Sequence, residues 1–151
     1  MRKTLFSALF LFALAAGSQN AAGRFDGVWN TTVTCDAKGN SLGYTWHFTS
    51  TIANDMLHGE RGDAGQPGYL ALDGKINQDG SAKLTASGVV ASTQYTHGPL
   101  VRSGEDYSYD VKTHFTDTDG KGERSTGLGI YGRPCHYVFD RQTAPTAAAK
   151  P

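Results

Sequence analysis

The chain holds two cysteines, Cys35 and Cys135, and they lie near the two ends of everything in it that is patterned to fold. Two cysteines allow only one intramolecular bridge. Whether it forms depends on the compartment, and the first residues bear on that. Arg2 and Lys3 make a positive start, and residues 5–14 form an apolar run too short to span a bilayer as a helix. Ala15, Gly17 and Gly23 each offer a cleavage point with small neighbours. We read residues 1–23 as a signal peptide. The remainder is then expected to be exported, periplasmic or secreted, where a Cys35–Cys135 disulfide forms. It would close a loop of about 100 residues, worth roughly 4 to 5 kcal/mol on the chain-entropy model.

No helical period follows the signal; alternation dominates. Trp29, Thr31, Val33 and Cys35 share one face of a first strand, and Tyr44, Trp46, Phe48, Ser50 and Ile52 one face of a second. Met56 to Arg61 reads as a short third. Leu70, Leu72, Gly74 and Ile76 mark the fourth, and Ala82, Leu84, Ala86, Gly88 and Val90 the fifth. Tyr107, Tyr109, Val111, Thr113 and Phe115 mark the sixth. Arg124, Thr126, Leu128 and Ile130 mark the seventh, and Cys135, Tyr137, Phe139 and Arg141 the eighth. The 19 glycines fit short strands and tight turns.

Loop length fixes hairpin register, so the turns test these faces. A Gly39-Asn40 turn sets Cys35 opposite Tyr44 and Val33 opposite Trp46. An Asn54-Asp55 turn sets Ile52 opposite Leu57 and Phe48 opposite Arg61. A three-residue loop with Gly80 left-handed sets Ile76 opposite Ala82 and Leu72 opposite Ala86. An Asp119-Gly120 turn sets Val111 opposite Leu128 and Tyr109 opposite Ile130. The first, third and fourth of these turns join apolar face to apolar face.

Eight strands joined in order form a meander, and an open meander would leave two bare edges. The disulfide removes them by placing the first strand beside the last. With Cys35 opposite Cys135, Val33 meets Tyr137, Thr31 meets Phe139 and Trp29 meets Arg141. The expected fold is all-β: a single antiparallel up-and-down eight-stranded β-barrel, closed by one disulfide, over residues 24–141. Residues 142–151 have nothing to bury and are read as a disordered tail.

Gly27 and Trp29 form a Gly-x-Trp on the first strand, crossed by Arg141 on the last. With the eight-strand meander, this resembles the calycin superfamily of barrels, which includes lipocalins, fatty-acid-binding proteins and avidins. The resemblance implies that Trp29 closes one end of the barrel and that Arg141 packs across its ring, both structural.

The 14 basic and 14 acidic residues balance, and removing Arg2 and Lys3 with the signal leaves a net charge of −2. No basic field exists to attract nucleic acid or an anionic membrane, and no later stretch is apolar enough for membrane insertion. The inward faces combine aromatic residues with small ones, which is either a packed core or an aromatic-lined pocket. Trp46, Tyr107 and Tyr109 are the candidate ligand-binding lining. Arg61, inward and without an obvious acidic partner, is the candidate for a ligand's acidic group. The other candidate surface is the loop of residues 91–104, with Tyr95, His97 and Leu100, which suits a protein partner.

No catalytic constellation is legible. His47, His58, His114 and His136 point outward, and no metal-ligand spacing or nucleophile elbow occurs. Asp117, Asp119, Gly120 and Glu123 spell part of a calcium loop but are better explained by a hairpin. The sequence therefore points to a binding protein without cofactor or metal. Its ligand is a small apolar or amphipathic molecule. The alternative is a module that inhibits a protease or lysozyme through the 91–104 loop.

Overall fold

Period-two alternation becomes the pleat of eight strands. The computed structural model describes residues 23–96, 102–127 and 132–143. The strands are β1 (Gly27–Cys35), β2 (Tyr44–Ala53), β3 (Met56–Arg61), β4 (Leu70–Ile76), β5 (Ser81–Val89), β6 (Asp106–Phe115), β7 (Asp119–Arg124) and β8 (Cys135–Arg141). Each pairs antiparallel with the next, and β8 returns to β1, so the sheet is a closed barrel with no free edge. One 3₁₀ turn, Thr93–Tyr95, interrupts the β5–β6 connection. Among the described residues no helix is long and apolar enough to cross a membrane.

The seam forms in the expected register. Cys35 pairs with Cys135, Val33 with Tyr137, Thr31 with Phe139 and Trp29 with Arg141. The two cysteines are disulfide-bonded, with α-carbons 4.0 Å apart. Such a bond belongs in an oxidising compartment.

Three of the four turns read from sequence set the register observed. Cys35 faces Tyr44, Ile52 faces Leu57 and Ile76 faces Ala82. Asn54 and Asp55 both take positive φ, 53° and 62°, as a tight hairpin turn on a right-twisted ribbon requires. The β2–β3 ladder ends at Ser50 opposite Gly59, so Phe48 and Arg61 are not paired within it.

The β6–β7 hairpin corrects the fourth reading. Val111 faces Arg124, not Leu128, and Phe115 faces Gly120. The tight turn lies around Asp117 and Thr118, where the Thr116 amide donates to the Asp119 carbonyl at 2.7 Å. The register is therefore offset by four residues from the one that an Asp119-Gly120 turn would give. The reason is steric. A β-carbon on Gly120 would lie 2.7 Å from Cδ1 of Phe115, so the ring occupies the space that the glycine leaves on the inner face. The seventh strand is thus Asp119–Arg124 and not Arg124 to Ile130: Thr126 lies in a bend past its end, and Leu128 and Ile130 lie outside the described residues.

One end of the barrel is filled by aromatic rings. Phe25, Trp29, Phe115 and Phe139 are fully buried there. The Trp29 and Phe115 rings meet edge to face at 5.5 Å, and Phe115 and Phe139 at 4.8 Å. Trp29 Nε1 donates to the Phe25 carbonyl at 3.0 Å, so the indole is buried without an orphan donor. Arg141 covers the plug, its guanidinium carbon 5.6 Å from the Trp29 ring. Its Nη1 donates to the Asp117 carbonyl at 3.0 Å and its Nη2 to the Asp26 carbonyl. In the middle, Thr31 and Ser50 share a 2.7 Å hydroxyl bond, which satisfies two polar groups inside the core.

Candidate functional site

The opposite end is built from the same alternation, but with arginines at its terminal inward positions. Arg61 is the last inward residue of β3 and Arg124 the last of β7. Arg133 lies two residues before Cys135 and so keeps the inward parity of β8. Each guanidinium rests on an aromatic ring: Arg61 on Trp46 at 4.2 Å, Arg124 on Tyr109 at 4.3 Å, and Arg133 on Tyr44 at 4.6 Å. These contacts join cation–π attraction to burial of the arginine stems.

The rings pair along their strands. Tyr44 and Trp46 of β2 stack at 4.3 Å, and Tyr107 and Tyr109 of β6 are parallel at 6.0 Å. In a closed eight-stranded barrel β2 and β6 are four strands apart in either direction. The two aromatic pairs therefore stand on opposite walls. Between them lies a pocket of about 170 Å³, lined by Tyr44, Trp46, Tyr107, Tyr109, Arg124 and Arg133 with Val89, Val90, Tyr95 and Cys135. An apolar cavity of about 150 Å³ admits a benzene-sized molecule.

Three connections knit the rim. The Leu42 amide donates to the Gln94 carbonyl at 2.8 Å, and the Asp36 amide to the Pro134 carbonyl at 3.1 Å. Arg133 Nη1 donates to the Leu42 carbonyl at 2.6 Å and its Nη2 to the Tyr95 carbonyl. Arg133 is only 6% exposed, yet these partners are neutral dipoles. Arg124 likewise spends its bonds on carbonyls, Nε on Thr126 at 2.9 Å and Nη2 on Gly127 at 2.8 Å. Arg61 donates to the Gly68 carbonyl at 2.9 Å. No Asp or Glu pairs with any of the three.

Tyrosine hydroxyls supply the polar part of the interior. Those of Tyr109 and Tyr137 meet at 2.8 Å. Burial raises the pKa of Tyr109 to about 12, partly offset by the Tyr137 hydrogen bond and nearby arginines. Burial also pushes Tyr44, Tyr107 and Tyr137 above the usual phenol value. All four remain neutral hydroxyls, able to donate, at physiological pH.

Trp46, Tyr107 and Tyr109 thus come together on the pocket wall. Arg61 does not line the pocket; it lies half-buried against Trp46. Tyr95 packs edge to face on Tyr44 at 6.0 Å, so the first part of the 91–104 loop is held to the barrel. His97 and Leu100 lie outside the described residues. Sequence reading missed Arg124 and Arg133 as site residues, although their parity with the inward faces was legible. The small residues of β3 and β5 do not make the void. Phe48 lies over Gly59 and Tyr107 over Gly88, where β-carbons would come within 3.0 Å and 2.7 Å of those side chains.

His58 and His47 make outer-face contacts. His58 Nδ1 lies 2.6 Å from Asp73 and its Nε2 3.0 Å from Glu60, and the Asp73 hydrogen bond leads in raising its pKa. His47 meets Thr32 at 3.0 Å. Among the described residues no cluster of His, Cys, Asp and Glu is placed to hold a metal ion. No protein-family model, curated protein or solved structure matches the chain.

Proposed function

We propose that this is a non-catalytic exported binding protein, periplasmic or secreted, that holds a small amphipathic ligand in the open half of its barrel. The observation that carries the reading is the unequal filling of the interior. Around Trp29 the aromatic rings are fully buried and meet one another, while around Tyr44, Trp46, Tyr107 and Tyr109 they face each other across about 170 Å³. Concave, aromatic-walled sites with a few convergent polar groups are where small molecules bind. The calycin resemblance points the same way, with Trp29 and Arg141 as structure and the far end as the site. Trp46, Tyr107 and Tyr109 are the walls, and Arg61 holds the Trp46 ring in place.

The alternative is an inhibitory module acting through residues 91–104. It has less support, because Tyr95 turns toward Tyr44 and its carbonyl is bound by Arg133. Native mass spectrometry of protein purified from its exported compartment separates the two. A discrete additional mass, lost on denaturation, is expected for a carrier. A bare barrel that instead co-purifies with one stoichiometric protein would overturn the carrier reading. The denatured mass should also show cleavage after Ala15, Gly17 or Gly23 and the two hydrogens missing from the cysteines.

A further inference from the structure

We infer that the pocket selects an anionic single-ring aromatic molecule, an aryl carboxylate in class, with Arg124 and Arg133 meeting the carboxylate. This rests on the binding reading above and specifies its ligand.

The first argument is charge. Arg124 and Arg133 line the pocket, and Arg133 is buried. A guanidinium cannot shed its proton, so burial without a counter-charge is costly. All 14 Asp and Glu residues of the chain fall within the described segments, and none forms an ion pair with either arginine. Carbonyl dipoles and ring faces are their protein partners. The net charge that the site lacks is one that a ligand can bring.

The second argument is shape. The stacked Tyr44–Trp46 pair and the parallel Tyr107–Tyr109 pair face each other across the cavity, an environment that accepts a flat ring. A volume of about 170 Å³ suits one ring with a short substituent. The third is donor chemistry. The pocket tyrosines Tyr107 and Tyr109 stay protonated, and an array of guanidinium and phenol donors with no acidic acceptor favours an anion.

Isothermal titration of the mature protein tests this with three probes of one size and different charge: benzoate, benzyl alcohol and benzylamine. Benzoate should bind at least about tenfold more tightly than either of the others, as a desolvated charge-assisted pair requires. Arg124→Gln should weaken benzoate binding by several-fold more than it weakens benzyl alcohol binding, and so narrow that preference. Arg133 also ties the rim together, so Arg133→Gln can fail to fold. Benzoate affinity of the unmutated protein, falling with added salt while that for benzyl alcohol does not, supplies the second readout. Benzyl alcohol or benzylamine binding as tightly as benzoate would overturn the anion inference and leave the carrier reading standing. Failure of all three probes to bind at millimolar concentration would overturn both.

Discussion

Arg141 lies across Trp29, 5.6 Å from the indole, and its guanidinium also binds carbonyls of Asp26 and Asp117. One side chain thus joins the segment before β1, the β6–β7 turn and the barrel's aromatic plug. Gly27 is shaped to this contact. Its φ of 147° is a glycine conformation, and a β-carbon there would sit 3.4 Å from Arg141 Nε. Arg141→Ala should therefore lower stability by about 1 to 3 kcal/mol through lost packing and orphaned carbonyls. Urea denaturation followed by tryptophan fluorescence reads it. An unchanged midpoint would mean that the plug is held by its rings alone.

The Cys35–Cys135 bond crosses the β1–β8 seam, which the ladder from Trp29 opposite Arg141 already closes. Its effect should thus fall on stability and not on topology. Replacing both cysteines with serine should cost about 2 to 5 kcal/mol while the β-rich circular dichroism spectrum persists. Loss of the spectrum at every temperature would show instead that the seam depends on the covalent link.

Alternating faces and turn chemistry made most of the barrel legible, and the one register they misplaced also hid part of the site. An Asp-Gly pair is the strongest short hairpin signal, and it drew the turn to Asp119 and Gly120. A slip of four residues leaves every side chain on its own face, so matching apolar faces cannot detect it. In that register Arg124 falls opposite Phe115, at the plugged end. In the structure it falls opposite Val111 and reaches Tyr109 at the pocket. Arg133 was obscure for another reason: it lies outside any strand, and its ring partner Tyr44 comes from β2. Trp46, Tyr107 and Tyr109 needed only parity within regular strands.

The same hairpin yields a sharp test. Gly120 leaves the space that the Phe115 ring fills, and that ring in turn packs on Trp29 and Phe139. Gly120→Ala places a methyl 2.7 Å from the ring and should cost about 1 to 3 kcal/mol by overpacking. In the Phe115→Leu background the same substitution should cost clearly less. A double-mutant cycle with no coupling would argue for a different β6–β7 register, including the one with the turn at Asp119 and Gly120.

The buried phenols set an alkaline limit on the fold. Burial raises the pKa of Tyr109 to about 12 and pushes Tyr107 and Tyr137 upward also. In the unfolded chain these groups ionise near pH 10. Their folded values are raised, so the stability they contribute is fully present below about pH 10. It is lost as pH rises from there toward the folded values, because the unfolded state then releases protons that the native state retains. Each such tyrosine subtracts about 1.4 kcal/mol per pH unit in that window, and three together outweigh the reserve of a small domain within about two units. Absorbance at 295 nm should therefore show part of the tyrosine signal appearing only well above pH 10, in step with loss of the near-ultraviolet dichroism. Tyr137→Phe removes one of the three groups and should make the loss of stability above pH 10 shallower. If all seven tyrosines ionised in one step near pH 10 with the dichroism unchanged, the hydroxyls of Tyr107, Tyr109 and Tyr137 would have to be in contact with solvent.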